Sequence, residues 1–161
     1  LNLDLYTDGS YFKNKPNTTY GGIVIVNKDT NELLEVRRVL TCKPEFTKMN
    51  NAGGEVIAAW IGMFNASSLC NKEEDSTIRV FYDYKGVREF LSGGSYVAGK
   101  SGNLQYVHAF NLIKKNNPKI KFDFIKVKSH SGNRYNDLAD SIAKGYSAGP
   151  CSYALKDEIE L

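Results

Sequence analysis

"YGGIVIVNKDTNELLEVRRVL", residues 20–40, decides the fold. Two apolar runs flank the polar stretch "NKDTNE", residues 27–32, which predicts two strands joined by a hairpin turn. Upstream, "NLDLYTD", residues 2–8, alternates and ends at Asp8 with Gly9 behind it. That predicts an earlier strand stopping in a turn. "YFKNKPNTT", residues 11–19, is a loop by its Asn, Thr and Pro content. Three successive strands at the start predict an antiparallel meander.

Beyond the meander, "TCKPEFTKMNNAGG", residues 41–54, reads as a connection. "GEVIAAWIGMFNAS", residues 54–67, has apolar residues at 56, 57, 60, 61 and 64, the spacing of a helix, with Glu55 at its opening. "TIRVFYD", residues 77–83, is a nearly continuous apolar run suited to an inner strand. "YKGVREFLSGG", residues 84–94, predicts a short helix stopped by glycines. "LQYVHAFNLIKKN", residues 104–116, predicts another helix, with Pro118 as a stop. "KIKFDFIKVK", residues 119–128, alternates Ile120, Phe122 and Phe124 against lysines and Asp123. It reads as a fifth strand with one buried and one basic face. The stretch from Asn136 through "DLADSIAKGYSAG" predicts the last helix, with Asn136 as its N-cap and Asp137 its first residue. The acidic tail "CSYALKDEIEL", residues 151–161, carries no assigned structure. This order predicts an α/β (mixed α+β) fold: one mixed five-stranded sheet flanked by helices.

The chain has 161 residues, 42% hydrophobic and 24% charged, which fits one domain over 1–161 with a core to about 147 and a tail over 148–161. No apolar run approaches a membrane span, and "LNLDLYTDG" lacks the basic start and apolar centre of a signal peptide. Cys42, Cys70 and Cys151 are widely spaced, with no zinc pattern, and fit reduced thiols in a cytoplasmic protein. The expected state is a monomer with no membrane and no obligate protein partner. Charge is uneven: between Gly99 and Arg134 there are eight Lys or Arg residues opposed only by Asp123. Such a basic zone is what a polyanion needs for phosphate contacts.

Four acids fall at suggestive places: Asp8 and Asp83 at strand ends, Glu55 at a helix start, and Asp140 among Leu138, Ala139, Ile142 and Ala143. Ligand sites in sheets with crossover helices lie beyond the carboxyl ends of strands. If the first and fourth strands are parallel neighbours, about 4.8 Å apart, Asp8 and Asp83 come together. Each residue alone has an ordinary explanation: a turn, a charge in a first helical turn, a loop acid, a solvated helix face. Together in one pocket they would repel, with raised pKa values, unless a hard cation joined them. Mg²⁺ takes oxygen ligands and enters with substrate phosphates; two such ions about 3.5 to 4 Å apart can serve phosphodiester hydrolysis.

"LYTDGS", "NNAGGEVIAA", "VFYDYKGVREF" and "VKSHSGNRYNDLADSIAK", in this order from Leu5 to Lys144, resemble the four signature blocks of type 1 ribonuclease H. The resemblance implies the ribonuclease H-like fold, with three antiparallel strands first in a five-stranded mixed sheet. It implies endonucleolytic cleavage of the RNA strand of RNA–DNA hybrids, leaving 3′-hydroxyl and 5′-phosphate ends. The family's four catalytic and metal-binding acids fall on Asp8, Glu55, Asp83 and Asp140, with two Mg²⁺ ions per site and Mn²⁺ as a substitute. Its flexible-loop histidine falls on His130. Asn51, four residues before Glu55, matches a minor-groove reader of the hybrid. The resemblance also suggests substrate contacts at Ser10, at Asn14 or Asn17 in the first loop, at Lys85 and at Asn136.

The chain departs from the pattern in two places. After Asp83 it reads "YKG", so Lys85 stands where the best-known bacterial members have a polar residue. The tryptophan-rich basic handle of some members is missing; the sole Trp is Trp60. The "YDYKG" form also resembles bacterial members fused behind a small hybrid-binding domain, and the start at Leu1 fits a piece of such a parent. Three other readings compete: a nuclease of the same fold that acts on DNA, a non-catalytic hybrid-binding domain, and a domain acting only within a larger polyprotein such as a reverse transcriptase.

Overall fold

Residues 20–40 form the expected hairpin. The strands β2 (Thr19–Asn27) and β3 (Leu33–Thr41) pair antiparallel. The Asn27 amide donates to the Glu32 carbonyl at 2.8 Å, and the Asn27 side chain accepts from the Asp29 amide at 3.0 Å. A short polar side chain thus stabilises the turn against its own backbone. In this computed structural model, residues 1–84, 86–87, 104–128, 132–145 and 159–160 are described.

The remaining elements are β1 (Asn2–Tyr11), α1 (Pro44–Thr47), α2 (Asn51–Leu69), β4 (Ser76–Tyr82), α3 (Leu104–Asn116), β5 (Ile120–Lys126), α4 (Arg134–Lys144) and β6 (Ile159–Glu160). The sheet order is β5-β4-β1-β2-β3-β6. The β1–β2 and β2–β3 pairs are antiparallel, whereas β1–β4, β4–β5 and β3–β6 are parallel. The expected mixed sheet, with its antiparallel meander first, is therefore present. The tail adds a sixth, two-residue strand at the free edge of β3.

The sheet is buried on both faces, and β2 shows why its sequence lacks a polar alternation. Ile23 and Ile25 join the core under α2, with Leu3, Leu5, Ile57, Met63, Ile78, Val80 and Phe110. Val24 and Val26 point the other way, with Tyr6, Phe81 and Ala139 beneath α4. Successive side chains in a strand face opposite sides, so a strand covered twice reads as a continuous apolar run. Fully burying one Leu or Ile contributes about 1.5–3 kcal/mol. The edge strand β5 differs from expectation in degree: Phe122 and Phe124 are only half-buried, while Lys121 and Lys126 are exposed.

Two adjacent glycines set how near the helices come. A Cβ on Gly21 would overlap the Gly54 carbonyl of α2, and one on Gly22 would overlap the Ala139 carbonyl of α4. Helix and strand backbones touch at both points, one on each face of β2. This explains a misread boundary. The long helix was expected to open at Glu55, because Gly53 and Gly54 disfavour helix. It opens at Asn51 instead, because those glycines let it lie against Phe46 and Tyr20. Packing overrides the local propensity.

Among the described residues no helix is long and apolar enough to cross a membrane. Cys42 and Cys70 are free thiols, and Cys151 lies outside the described residues, as does most of the helix expected over 84–94. Substituting Gly22→Ala should lower unfolding free energy by about 1–3 kcal/mol, the usual range for an overpacked contact, read from urea denaturation.

Candidate active site

The parallel pairing of β1 with β4 creates the site. Its last registered pair is Tyr6 with Phe81, so Asp8 and Asp83 each lie two residues further along, at the same end of the sheet. A bidentate ion pair supports this register. Arg79 on β4 donates to both carboxylate oxygens of its cross-strand partner Asp4, at 2.7 and 2.6 Å.

Asp8 was expected to end its strand in a turn. It does not: β1 runs on to Tyr11, with Gly9, Ser10 and Tyr11 still paired to Gly21, Tyr20 and Thr19. The Asp-Gly-Ser turn signal misleads because Gly9 serves a close approach. A Cβ there would overlap the Asn51 carbonyl of α2. That contact brings the first turns of α2, with Asn51 and Glu55, beside Asp8. The entry to α2 is strained. Asn50 has φ 57° and ψ −129°, and its carbonyl accepts from the Thr19 hydroxyl at 2.7 Å. A non-glycine residue held there costs on the order of 1–3 kcal/mol, and such strain concentrates at functional sites.

Glu55 links α2 to the end of β4. Its Oε1 accepts from the Asp83 amide at 2.7 Å and its Oε2 from the Tyr84 amide at 3.0 Å. Each oxygen keeps further lone-pair capacity. Asp140 enters from the opposite helix. Its α4 is capped by Asn133, whose side chain accepts from the Tyr135 and Asn136 amides at 3.0 and 3.1 Å. This corrects the expected cap at Asn136. Asn133 has the extended backbone of an N-cap, while Asn136 is buried inside the first turn. Gly145, in the left-handed conformation, ends the helix.

A cavity of about 390 Å³ is lined by Asp8, Ser10, Asn51, Asp83, Asn136 and Asp140, among others, while Glu55 is buried beside it and does not line it. Of the expected substrate contacts, Ser10, Asn51 and Asn136 reach it. Asn14 and Asn17 are exposed in the β1–β2 loop and do not line it. Lys85 and His130 lie outside the described residues. Sequence reading passed over Tyr11, Asn50 and Lys144, which also line the cavity. Lys144 had one available signal: it stands four residues after Asp140, hence on the same helix face.

The electrostatics are those of crowded acids. Burial, then a hydrogen bond with Asp140 and the charges of Asp140 and Asp83, raises the Asp8 carboxyl to about 7, against the Gly9 amide that lowers it. Burial also raises Glu55 to about 8, although the amides of Asp83 and Tyr84 and their hydrogen bonds favour its charged form. Both groups hold protons near neutrality unless positive charge arrives. An all-carboxylate donor set is the kind that hard divalent cations take, so these residues suit Mg²⁺ by donor chemistry. Among the described residues no three His, Cys, Asp or Glu side chains already stand in a metal-holding group. Mutual repulsion opposes such gathering without a cation.

The family model described as RNase H matches residues 2–147. A ribonuclease H from Aeromonas salmonicida is 24% identical over 150 residues, covering 91% of this chain and 90% of its own length. Among solved structures, the N-terminal RNase H domain of a Mycobacterium tuberculosis protein superposes with a TM-score of 0.63 at 19% identity, covering 89% of this chain and 94% of that one. A ribonuclease H1 designated LC11, solved with an RNA/DNA hybrid, gives a TM-score of 0.60 at 17% identity, covering 86% and 94%. These structural likenesses establish a shared fold.

The raised carboxyls make metal-free stability pH-dependent. Asp8 and Glu55 move from ordinary values of 3.8 and 4.5 to about 7 and about 8 on folding. Between those limits the folded chain binds more protons than the unfolded one, so stability is full at about pH 4 and falls as pH rises towards 8. Thermal melting should show that decline, and Asp8→Asn should flatten it and raise the metal-free melting temperature at pH 8. Added Mg²⁺ should raise the wild-type melting temperature at pH 8 much more than at pH 5, where protons compete for the ligands.

Proposed function

The chain belongs to the RNase H family, and from that premise we propose that it is an endoribonuclease hydrolysing the RNA strand of RNA–DNA hybrids with two Mg²⁺ ions, leaving 3′-hydroxyl and 5′-phosphate ends. The observation that carries the reading is the meeting of Asp8, Asp83 and Asp140 at one cavity, with buried Glu55 bonded to the Asp83 and Tyr84 amides beside it. A LC11 relative of the same fold solved with an RNA/DNA hybrid supports the substrate class.

In this reading Asp8, Glu55, Asp83 and Asp140 hold the metal ions. Bound Mg²⁺ supplies charge for the scissile phosphate, an activated water and stabilisation of the leaving 3′ oxygen. The remaining work belongs to the chain. Asp8 shares the cavity with Asp140 and Asp83, whose charges both bear on it. Glu55, with both oxygens on the amides after β4, keeps Asp83 in place. The narrow backbone contact at Gly9 keeps Asn51 beside Asp8, where its amide can donate to and accept from a ribose 2′-hydroxyl. Glu55 is a second reader of that hydroxyl. Ser10 and Asn136 are further polar contacts at the cavity wall. His130, between Ser129 and Ser131 in the sequence, moves a proton or assists product release.

Sequence preference should be weak, because backbone and groove contacts position without reading bases. Exposed Lys121, Lys126 and Lys128, on and after β5, add phosphate-binding charge at one flank of the sheet.

The test is cleavage of a 5′-labelled RNA–DNA hybrid with Mg²⁺, beside the same RNA single-stranded and in duplex RNA. Internal cuts confined to the hybrid's RNA strand, with 5′-phosphate products and no detectable cutting by Asp8→Asn, are the expected result. Hybrid binding without cutting in Mg²⁺ or Mn²⁺ would instead favour a binding domain. Cuts in DNA would favour a DNA nuclease.

A further inference from the structure

Lys144 supplies the cationic side chain among the cavity-lining residues, where Asp8, Asp83, Asp137 and Asp140 also stand. Its Nζ lies 2.9 Å from Asp140 Oδ2, and the pair is partly exposed, at 39% and 23% of the side-chain surfaces. Asp140 and Asp8 line the same cavity, and the Asp140 charge bears on the Asp8 carboxyl. One carboxylate therefore joins the lysine to the centre of the acid cluster.

Three features fix the lysine there. The pair is i,i+4 with the acid first, the favourable order along a helix. Lys144 is the last residue of α4, where the helix dipole favours a positive charge. Arg38 on β3 donates from Nε and Nη2 to the Ala143 carbonyl, at 3.2 and 3.1 Å, and stacks on Tyr20 with 3.8 Å from Cζ to the ring centroid. The last turn of α4 is thus held on the sheet, and Lys144 reaches Asp140 through its four-carbon stem.

We propose that Lys144 is a resident counter-ion of the site: its ammonium holds the Asp140 carboxylate in the metal-free protein and competes with the divalent cation for it. The inference rests on the metal-ion reading above and adds a residue that sets how tightly the ions bind. Two cations near one carboxylate repel, so the lysine weakens metal binding at Asp140. Its function is positioning and charge balance, exerted through Asp140.

The experiment is calorimetric titration of Mg²⁺ into the full chain at pH 8 without nucleic acid, for wild type, Lys144→Met and Lys144→Arg. Removing the charge while keeping the apolar stem should tighten Mg²⁺ binding about three- to tenfold, the scale of one unit charge near a partly exposed divalent ion. Lys144→Arg should bind within about twofold of wild type, because it keeps the charge. A lysine serving only to support the helix would leave Mg²⁺ affinity unchanged or lower in Lys144→Met, and that result overturns the inference alone. Absence of Mg²⁺ binding in wild type would overturn it together with the metal-ion reading.

Discussion

Backbone contact between α2 and the β1–β2 pair is the constraint on which the rest depends. Gly9 meets the Asn51 carbonyl and Gly21 meets the Gly54 carbonyl, so no side chain separates helix from sheet at either place. An ordinary helix-on-sheet distance would move Glu55 away from the ends of β1 and β4. Its carboxylate could not then span to the Asp83 and Tyr84 amides. On the other face Gly22 does the same for α4, and Asp140 follows. The acids meet because the elements carrying them are packed closer than side chains normally allow.

That closeness has an electrostatic consequence. Burial near other carboxylates pushes Asp8 and Glu55 towards their protonated forms. Crowded acids repel one another, and the fold offsets this locally. Two backbone amides serve Glu55, the Gly9 amide serves Asp8, and Lys144 serves Asp140. These partners orient the acids. The arrangement is preorganised in direction and remains open in charge.

Strand register has its own support. Parallel pairing places Asp8 opposite Asp83, and a slip of one residue would turn one of them to the other face of the sheet. A sheet covered on both faces gives less protection against such a slip, since either face of a strand meets a core. The Arg79–Asp4 pair distinguishes the registers, because its two short hydrogen bonds form only in the observed alignment. Tyr6 stacked on Phe81, with centroids 4.6 Å apart, adds an aromatic pair in the same register. An ion pair at the start of the strands thereby secures the acids beyond their ends.

Periodicity by itself determined the strands, the two long helices, the mixed sheet and the four acids worth following. Those features depend on side-chain order along the chain, which is what a sequence records. It misjudged the end of β1, the start of α2 and the cap of α4, and the reason is common to all three. Asp8-Gly9-Ser10 and Gly53-Gly54 look like turns when read locally, but their missing side chains are spent on contacts with distant backbone. Asn133 and Asn136 are chemically alike, and only the backbone angle and burial separate a cap from a cavity wall. Asn50 and Tyr11 entered the site through approaches between elements, for which a single sequence has no periodic signal. Tertiary structure decided these because close backbone approach is a property of pairs of segments, and each segment alone shows only the absence of a side chain.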